Sequence, residues 1–278
     1  MGEDPGKLRL KFWGVRGSIP SPGADTADYG GNTACVEIAA GNHTLIIDAG
    51  SGIRALGDKL RKNSTTTIDL LFSHCHFDHI EGLPFFAPLY ISGRKLNFWS
   101  GHIQSPDATR NMIASLIRAP YFPIDPSAFR AAIRYHDFKA GDTLQPSDGI
   151  VVRTIPLRHP GGATGFRISF QGRSVCYISD VEHRPGLLER PLVEFVSGAN
   201  LMIYDAMYTD EEYPRYAGFG HSTWQEAIKL ADAAAVQKLA LYHHFPGRSD
   251  EQLAKVEAMA VSKRSLTLMA REGMEIRL

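Results

Sequence analysis

Six consecutive residues, His74-Cys75-His76-Phe77-Asp78-His79, place three histidines and an aspartate directly behind an apolar run at 68–73. If that run is a strand that continues into the histidines, its two-residue alternation turns His74 and His76 to one face, where both imidazoles can reach a single cation. Asp78 and His79 then fall in the following turn and can face a second. Imidazole and carboxylate donors at this density suit divalent ions, Zn²⁺ first and Mn²⁺ or Fe²⁺ after it. So many polar groups beside a buried strand would be costly to desolvate with nothing to bind. The same alternation turns Cys75 away from the ions as a small filler.

Positioning such a cluster takes a scaffold, and the rest of the chain supplies one. Turn-bounded apolar runs at 8–13, 34–39 and 44–47 read as strands joined by glycine-containing turns, and 53–61 as a helix. Further strands are expected at 150–155, 165–171, 174–178, 201–204 and 238–242. Helices are expected at 107–117, 223–236 and 250–263. Ser222 followed by Gln225 has the spacing of a capping box and predicts the start of the second of these. There is no internal repeat and no linker, so one mixed α/β domain over residues 1–278 is the economical reading.

His-x-His-x-Asp-His is similar to the signature of the metallo-β-lactamase superfamily, and the chain resembles that family in order from Phe12 to about Arg248. The resemblance implies an αββα four-layer sandwich and two divalent metal ions, Zn²⁺ foremost, held by seven residues. Those are His74, His76, Asp78 and His79, then His159 behind the strand at 150–155, Asp180 behind the strand at 174–178, and a last histidine. Asp180 would bridge both ions. The family register points to His243 for the last ligand, with His244 as the alternative. Asp48 matches the family's early aspartate; physically it could accept from a ligand imidazole N–H, or simply close an Asx turn. Asn32-Thr33 resembles a loop near the same site.

The C-terminal third looks like the ribonuclease Z branch. There an acidic residue precedes a His-Ser-Thr segment whose histidine protonates the leaving oxygen; here those would be Asp205 and His221. Asp205 stands where glutamate is usual, with a shorter reach. A helix N-terminus favours the neutral imidazole of His221 and Asp205 the charged one, and such opposition can hold a pKa near neutrality. The implied reaction is phosphodiester hydrolysis by a metal-bridging hydroxide, with Asp78 among the residues of the reaction centre and His221 as general acid. Enzymes of this branch are commonly homodimers.

Ribonuclease Z proteins carry a tRNA-binding arm between the third histidine and the bridging aspartate. Here that interval is only 21 residues, which argues against tRNA. The interval of 80 positions from His79 to His159 holds aromatic segments, Phe85-Phe86 and Tyr121-Phe122, suited to a small phosphodiester with a stackable ring, such as a cyclic nucleotide or cyclic phosphate. A thioester, lactone or β-lactam hydrolase is the alternative within the fold, but it has no need of the Asp205–His221 pair. A mononuclear-iron oxidoreductase would not need the second ligand set, and a non-catalytic metal-bound sensor would be expected to have lost ligands. His43, His102, His136 and His183 lack partner spacing and read as structural, and the 210–212 acidic run as a solvated face.

Composition agrees with such an enzyme. With 278 residues, 30 Lys+Arg balance 30 Asp+Glu, so no global field gathers a polyanion. The N-terminus starts acidic and Pro/Gly-rich rather than basic and apolar, and no apolar run of about 18 residues occurs, so neither a signal peptide nor a membrane span is expected. Three cysteines, an odd and sparse set, fit a reducing cytoplasm.

Overall fold

The structure is a computed structural model that describes residues 8–62 and 67–278; the acidic N-terminus discussed above lies outside the described residues. One sheet contains β1 (Leu8–Gly14), β2 (Cys35–Ala40), β3 (His43–Ile47), β4 (Thr67–Phe72), β5 (Lys95–Ser100) and β6 (Ala132–Asp137). The other contains β7 (Thr143–Ser147), β8 (Ile150–Leu157), β9 (Ala163–Phe170), β10 (Arg173–Ile178), β11 (Leu201–Asp205), β12 (Lys238–Tyr242) and β13 (Thr267–Met269), while β14 (Glu275–Arg277) returns to pair with β1. Among the described residues, six α-helices follow the same chain order: α1 (Ile53–Arg61), α2 (Phe77–Ile80), α3 (Ala108–Leu116), α4 (Arg190–Val196), α5 (Trp224–Ala233) and α6 (Asp250–Lys263).

Several central strands read as almost unbroken apolar runs because both of their faces are buried. In β3, Leu45 and Ile47 enter the core between the sheets, while Ile46 joins α1 residues Ile53, Leu56 and Leu60 on the outer face. In β10 the same alternation sends Val175 and Tyr177 between the sheets, and Cys176 and Ile178 toward Trp224 and Leu230 of α5. Helix, sheet, sheet and helix thus stack as the four layers expected from the sequence. Both sheets are mixed: β3 and β4 are parallel, as are β10, β11 and β12. The carboxyl ends of β3, β4, β8, β10, β11 and β12 gather at one end of the sandwich, the end where open α/β sheets collect their ligands.

Two boundaries differ from expectation. Strand β4 stops at Phe72, so His74 and His76 come from an extended loop rather than from strand alternation, and Cys75 is half-buried beside Phe77 and Ile80. The N-cap of α5 is Thr223, whose hydroxyl accepts from the Glu226 N–H at 3.2 Å, not Ser222. The Ser222 hydroxyl is engaged elsewhere, 2.9 Å from His183 Nδ1 and 3.3 Å from Tyr204 Oη. Among the described residues, no helix is long and apolar enough to cross a membrane.

Candidate metal centre

All nine residues singled out from the sequence converge on this end of the sandwich. The rings of His74, His76 and His159 lie 4.5–4.9 Å apart and form one set of donors. Asp78, His79 and His243 form another: His243 Nε2 is 3.1 Å from Asp78 Oδ2 and 3.2 Å from His79 Nε2. Asp180 stands between the two sets. Its Oδ1 is 3.8 Å from His74 Nε2 and 3.7 Å from His159 Nε2, and its Oδ2 is 3.1 Å from His79 Nε2 and 3.4 Å from His243 Nε2. Of the adjacent pair, His243 enters the cluster; His244 turns away, and its Nε2–H donates to the Ala270 carbonyl at 2.8 Å.

Hydrogen bonds behind the cluster set the tautomers of three rings. Asp48 Oδ2 accepts from His79 Nδ1–H at 2.8 Å, from the Ser73 hydroxyl at 2.8 Å and from the Tyr177 hydroxyl at 2.8 Å, while Oδ1 accepts from the Ser73 N–H at 2.7 Å. With its own proton committed to Asp48, the Ser73 hydroxyl can only accept from His74 Nδ1–H, 3.0 Å away. The Gly220 carbonyl accepts from His159 Nδ1–H at 2.8 Å. In each neutral ring the Nε2 lone pair is therefore left facing the cluster. His74 Nε2 is buried with no hydrogen-bond partner.

The fit to divalent cations rests on this: converging lone pairs, one orphaned, interleaved with the carboxylates of Asp78 and Asp180, would repel one another or stay unsatisfied without a positive charge among them. Imidazole and carboxylate donors suit zinc and its first-row neighbours. Burial lowers the pKa of His74 and His159, which favours the neutral, ligating form, whereas in His79 the charges of Asp180, Asp78 and Asp48 outweigh burial and raise it. Burial opposes ionisation of Asp180 and Asp78, but the surrounding imidazoles outweigh it and hold both carboxyls well below the usual range.

Beside this cluster, Asp205 Oδ2 accepts from His221 Nδ1–H at 2.8 Å, so the shorter acid does reach the ring. Asp205 is fixed in turn: Oδ1 accepts from the Met207 and Ser222 peptides, and Oδ2 from the Asp180 peptide. The His221 ring centroid lies 5.0 Å from that of His243 and 5.4 Å from that of His159. Burial disfavours the imidazolium, but the charge and hydrogen bond of Asp205 prevail, and the His221 pKa is raised to about 9. That replaces the near-neutral balance expected from the sequence, because the first residue of α5 is Trp224 and the carboxylate is in direct contact.

Residues 43–245 match the Beta-lactamase superfamily domain. The chain belongs to that superfamily. Across an alignment of 323 residues it is 23% identical to a ribonuclease Z of Haloarcula marismortui, covering 97% of this chain and 96% of that one. The metallo-beta-lactamase fold protein YhfI of Bacillus subtilis superposes with a TM-score of 0.71 at 18% identity, covering 98% of this chain and 99% of that chain. A diphosphatase from the PhnP family gives 0.72 at 15% identity, with 97% of each chain covered. Family, fold and donor set make this beta-lactamase superfamily protein a metal-dependent hydrolase.

Several contributors to the centre were not visible in the sequence. The Ser18 N–H donates to Asp78 Oδ2 at 2.7 Å, and the loop that carries it is anchored by the Val15 and Arg16 peptides on the Asn32 carbonyl. Asn32-Thr33 thus acts through backbone at one remove. Ser73, Tyr177 and the Gly220 carbonyl act through hydrogen bonds that no motif announces. Gly17 and Gly220 were the available signals, since a Cβ at either would lie 2.5 Å or less from an atom of a site histidine. The remaining histidines have structural partners, with His43 on Asp69 and His136 stacked on Trp99. The 210–212 run is only partly solvated: Asp210 accepts from the Thr223 hydroxyl and Glu212 pairs with Arg248.

Proposed function

We propose that this protein hydrolyses small phosphodiesters at a binuclear centre, with His74, His76 and His159 holding one divalent ion, Asp78, His79 and His243 the other, and Asp180 serving both. Zinc is the metal that best suits these donors, with manganese or iron as substitutes. Bound there, such ions supply Lewis acidity toward a phosphoryl oxygen and a water of lowered pKa. The chain's own part is to hold the donors in fixed tautomers through Asp48, Ser73 and Gly220, and to deliver a proton. His221 is the proton donor: Asp205 holds its Nδ1–H, which leaves Nε2 as the nitrogen that can carry a proton to a departing oxygen.

The observation that carries this reading is the buried Asp205–His221 pair against the cluster. An alkoxide leaving phosphorus needs a proton, and an imidazole raised toward 9 is charged at neutral pH and can give one. Ribonuclease Z and diphosphatase relatives, whose names denote chemistry at phosphorus, support the phosphoryl assignment. A small substrate is favoured over tRNA because β9 and β10 are joined by Gln171-Gly172 alone and fill the interval between His159 and Asp180. Exposed Phe77, the first residue of α2 between His76 and Asp78, offers a face for a ring such as that of a cyclic nucleotide.

The test is hydrolysis of bis(p-nitrophenyl) phosphate with Zn²⁺ or Mn²⁺, beside nitrocefin and a p-nitrophenyl ester. Wild type should turn over the diester, and His221→Ala should lose about 10²-fold or more in kcat with its metal content unchanged. No diester turnover by fully metallated protein would refute the proposal, and activity on the ester or lactam would replace it with carbonyl hydrolysis.

A further inference from the structure

Two residues beyond Asp180, the buried carboxylate of Glu182 receives three uncharged donors. Oε1 accepts from the Gly218 N–H at 2.7 Å and the Tyr213 hydroxyl at 3.1 Å, and Oε2 from the Gly220 N–H at 3.0 Å. Its own peptide N–H donates at 2.8 Å to the carbonyl of Arg158, the residue before His159. One residue, through its side chain on one side and its peptide on the other, therefore ties the 218–220 turn to the strand end that carries His159. The other end of that turn closes the loop: the Gly220 carbonyl accepts from His159 Nδ1–H, and a Cβ on Gly220 would stand 2.3 Å from that nitrogen. The next residue is His221.

From this we infer that Glu182 is a positioning residue for both histidines, holding the Gly220 peptide so that His159 keeps its proton on Nδ1 and its lone pair on Nε2, and so that His221 stays against Asp205. The inference rests on the reading of His159 as a metal ligand. A carboxylate is required, because the two glycine N–H groups are received on different oxygens. A glutamine has one oxygen and one NH₂, so whichever way it turns, one glycine N–H faces a donor. A buried carboxylate with no ion-pair partner among the described residues carries a desolvation cost, and orientation of the turn accounts for it.

The experiment uses the 278-residue chain and Glu182→Gln, with Glu226→Gln, a change at a carboxylate paired with Lys229, as the control for general destabilisation. Nitrogen-15 correlation spectra of the histidine rings report the His159 tautomer, and chelator competition reports zinc affinity. In Glu182→Gln, His159 should populate both tautomers, zinc affinity should fall by about 10–100-fold, and kcat on the diester should fall with KM held. Glu226→Gln should change none of these. Wild-type ring shifts and zinc affinity in Glu182→Gln would overturn the inference. If that variant does not fold, wild type decides, since the Gly218 and Gly220 amides should exchange slowly with solvent and rapid exchange of both would overturn it. Tautomer and affinity effects of Glu182→Gln, combined with no diester turnover by wild type, would leave this inference standing and remove the proposed function. Diester turnover without those effects would do the reverse.

Discussion

Asp48, at the end of β3, and His79, in α2, are joined by a 2.8 Å hydrogen bond, with neither side chain exposed to solvent. The same carboxylate takes both protons that Ser73 has to give, and through Ser73 it orients His74. A single acid thus controls one ligand in each donor set. Asp48→Asn would set an NH₂ against donors on every side. Zinc affinity should fall by about 10–100-fold, as is usual when a group that orients ligands is lost. Chelator competition measures it, and an unchanged affinity would remove Asp48 from the centre.

Asp205→Asn tests the proton donor by its pH dependence. A general acid works while protonated, so activity declines as pH rises through its pKa. Asp205 raises that pKa against the effect of burial. With the charge gone, the alkaline limb of kcat should move to lower pH, whereas a purely structural Asp205 would lower kcat at all pH values and leave the limb in place.

Gly17→Ala should disturb the centre without touching a ligand. The added methyl would lie 2.5 Å from Cε1 and Nδ1 of His243 and 2.4 Å from Met207 Cε. The methionine can swing aside, but the imidazole is held among Asp78, His79 and Asp180. Overpacking of this kind costs about 1–3 kcal/mol. A lower melting temperature together with reduced zinc stoichiometry is the expected result, and a fall in the first alone would mean that the ring tolerates the methyl.

His244 gives the metal-free protein a predictable acid sensitivity. Burial lowers its pKa to about 3, and its Nδ1 has no acceptor for a second proton. Between the unfolded value near 6.5 and the folded value, the unfolded chain binds the extra proton, so stability falls as pH drops through this window, by at most about 1.4 kcal/mol per pH unit. Urea midpoints at pH 7 and pH 5, in the presence of a chelator, should separate more in wild type than in His244→Gln. Equal separations would mean that His244 is not buried as a neutral ring.

The layers and the donors were legible in the sequence because both depend on short-range pattern: apolar runs of strand length, and donors placed directly behind them. His159, Asp180 and His243 each follow a strand, so once the strands are found the donors are found as well. What acts through backbone was not legible. The Ser18 N–H on Asp78 and the Gly220 carbonyl on His159 depend on where a peptide group lies, and many sequences can place a peptide group there. Glu182 was overlooked because its partners are 31 to 38 residues away and two are glycine N–H groups. The capping error had a similar origin, since Ser222 has the right chemistry for a cap but tertiary partners claim its hydroxyl.

Asp48, Asp180 and His243 share one backbone property: each leaves its strand with a positive φ, 62°, 62° and 58° respectively. Asp and His are more frequent there than most residues, yet the conformation still costs on the order of 1 kcal/mol relative to glycine, which adopts it freely. At these three positions the backbone would accept a smaller residue that the centre cannot use. A directed-evolution library selected for heat resistance alone, without metal, should therefore drift toward glycine or asparagine at 180 and yield hardier proteins with a dismantled centre, while the donors that converge on Asp48 and the close packing around His243 keep those two residues in place.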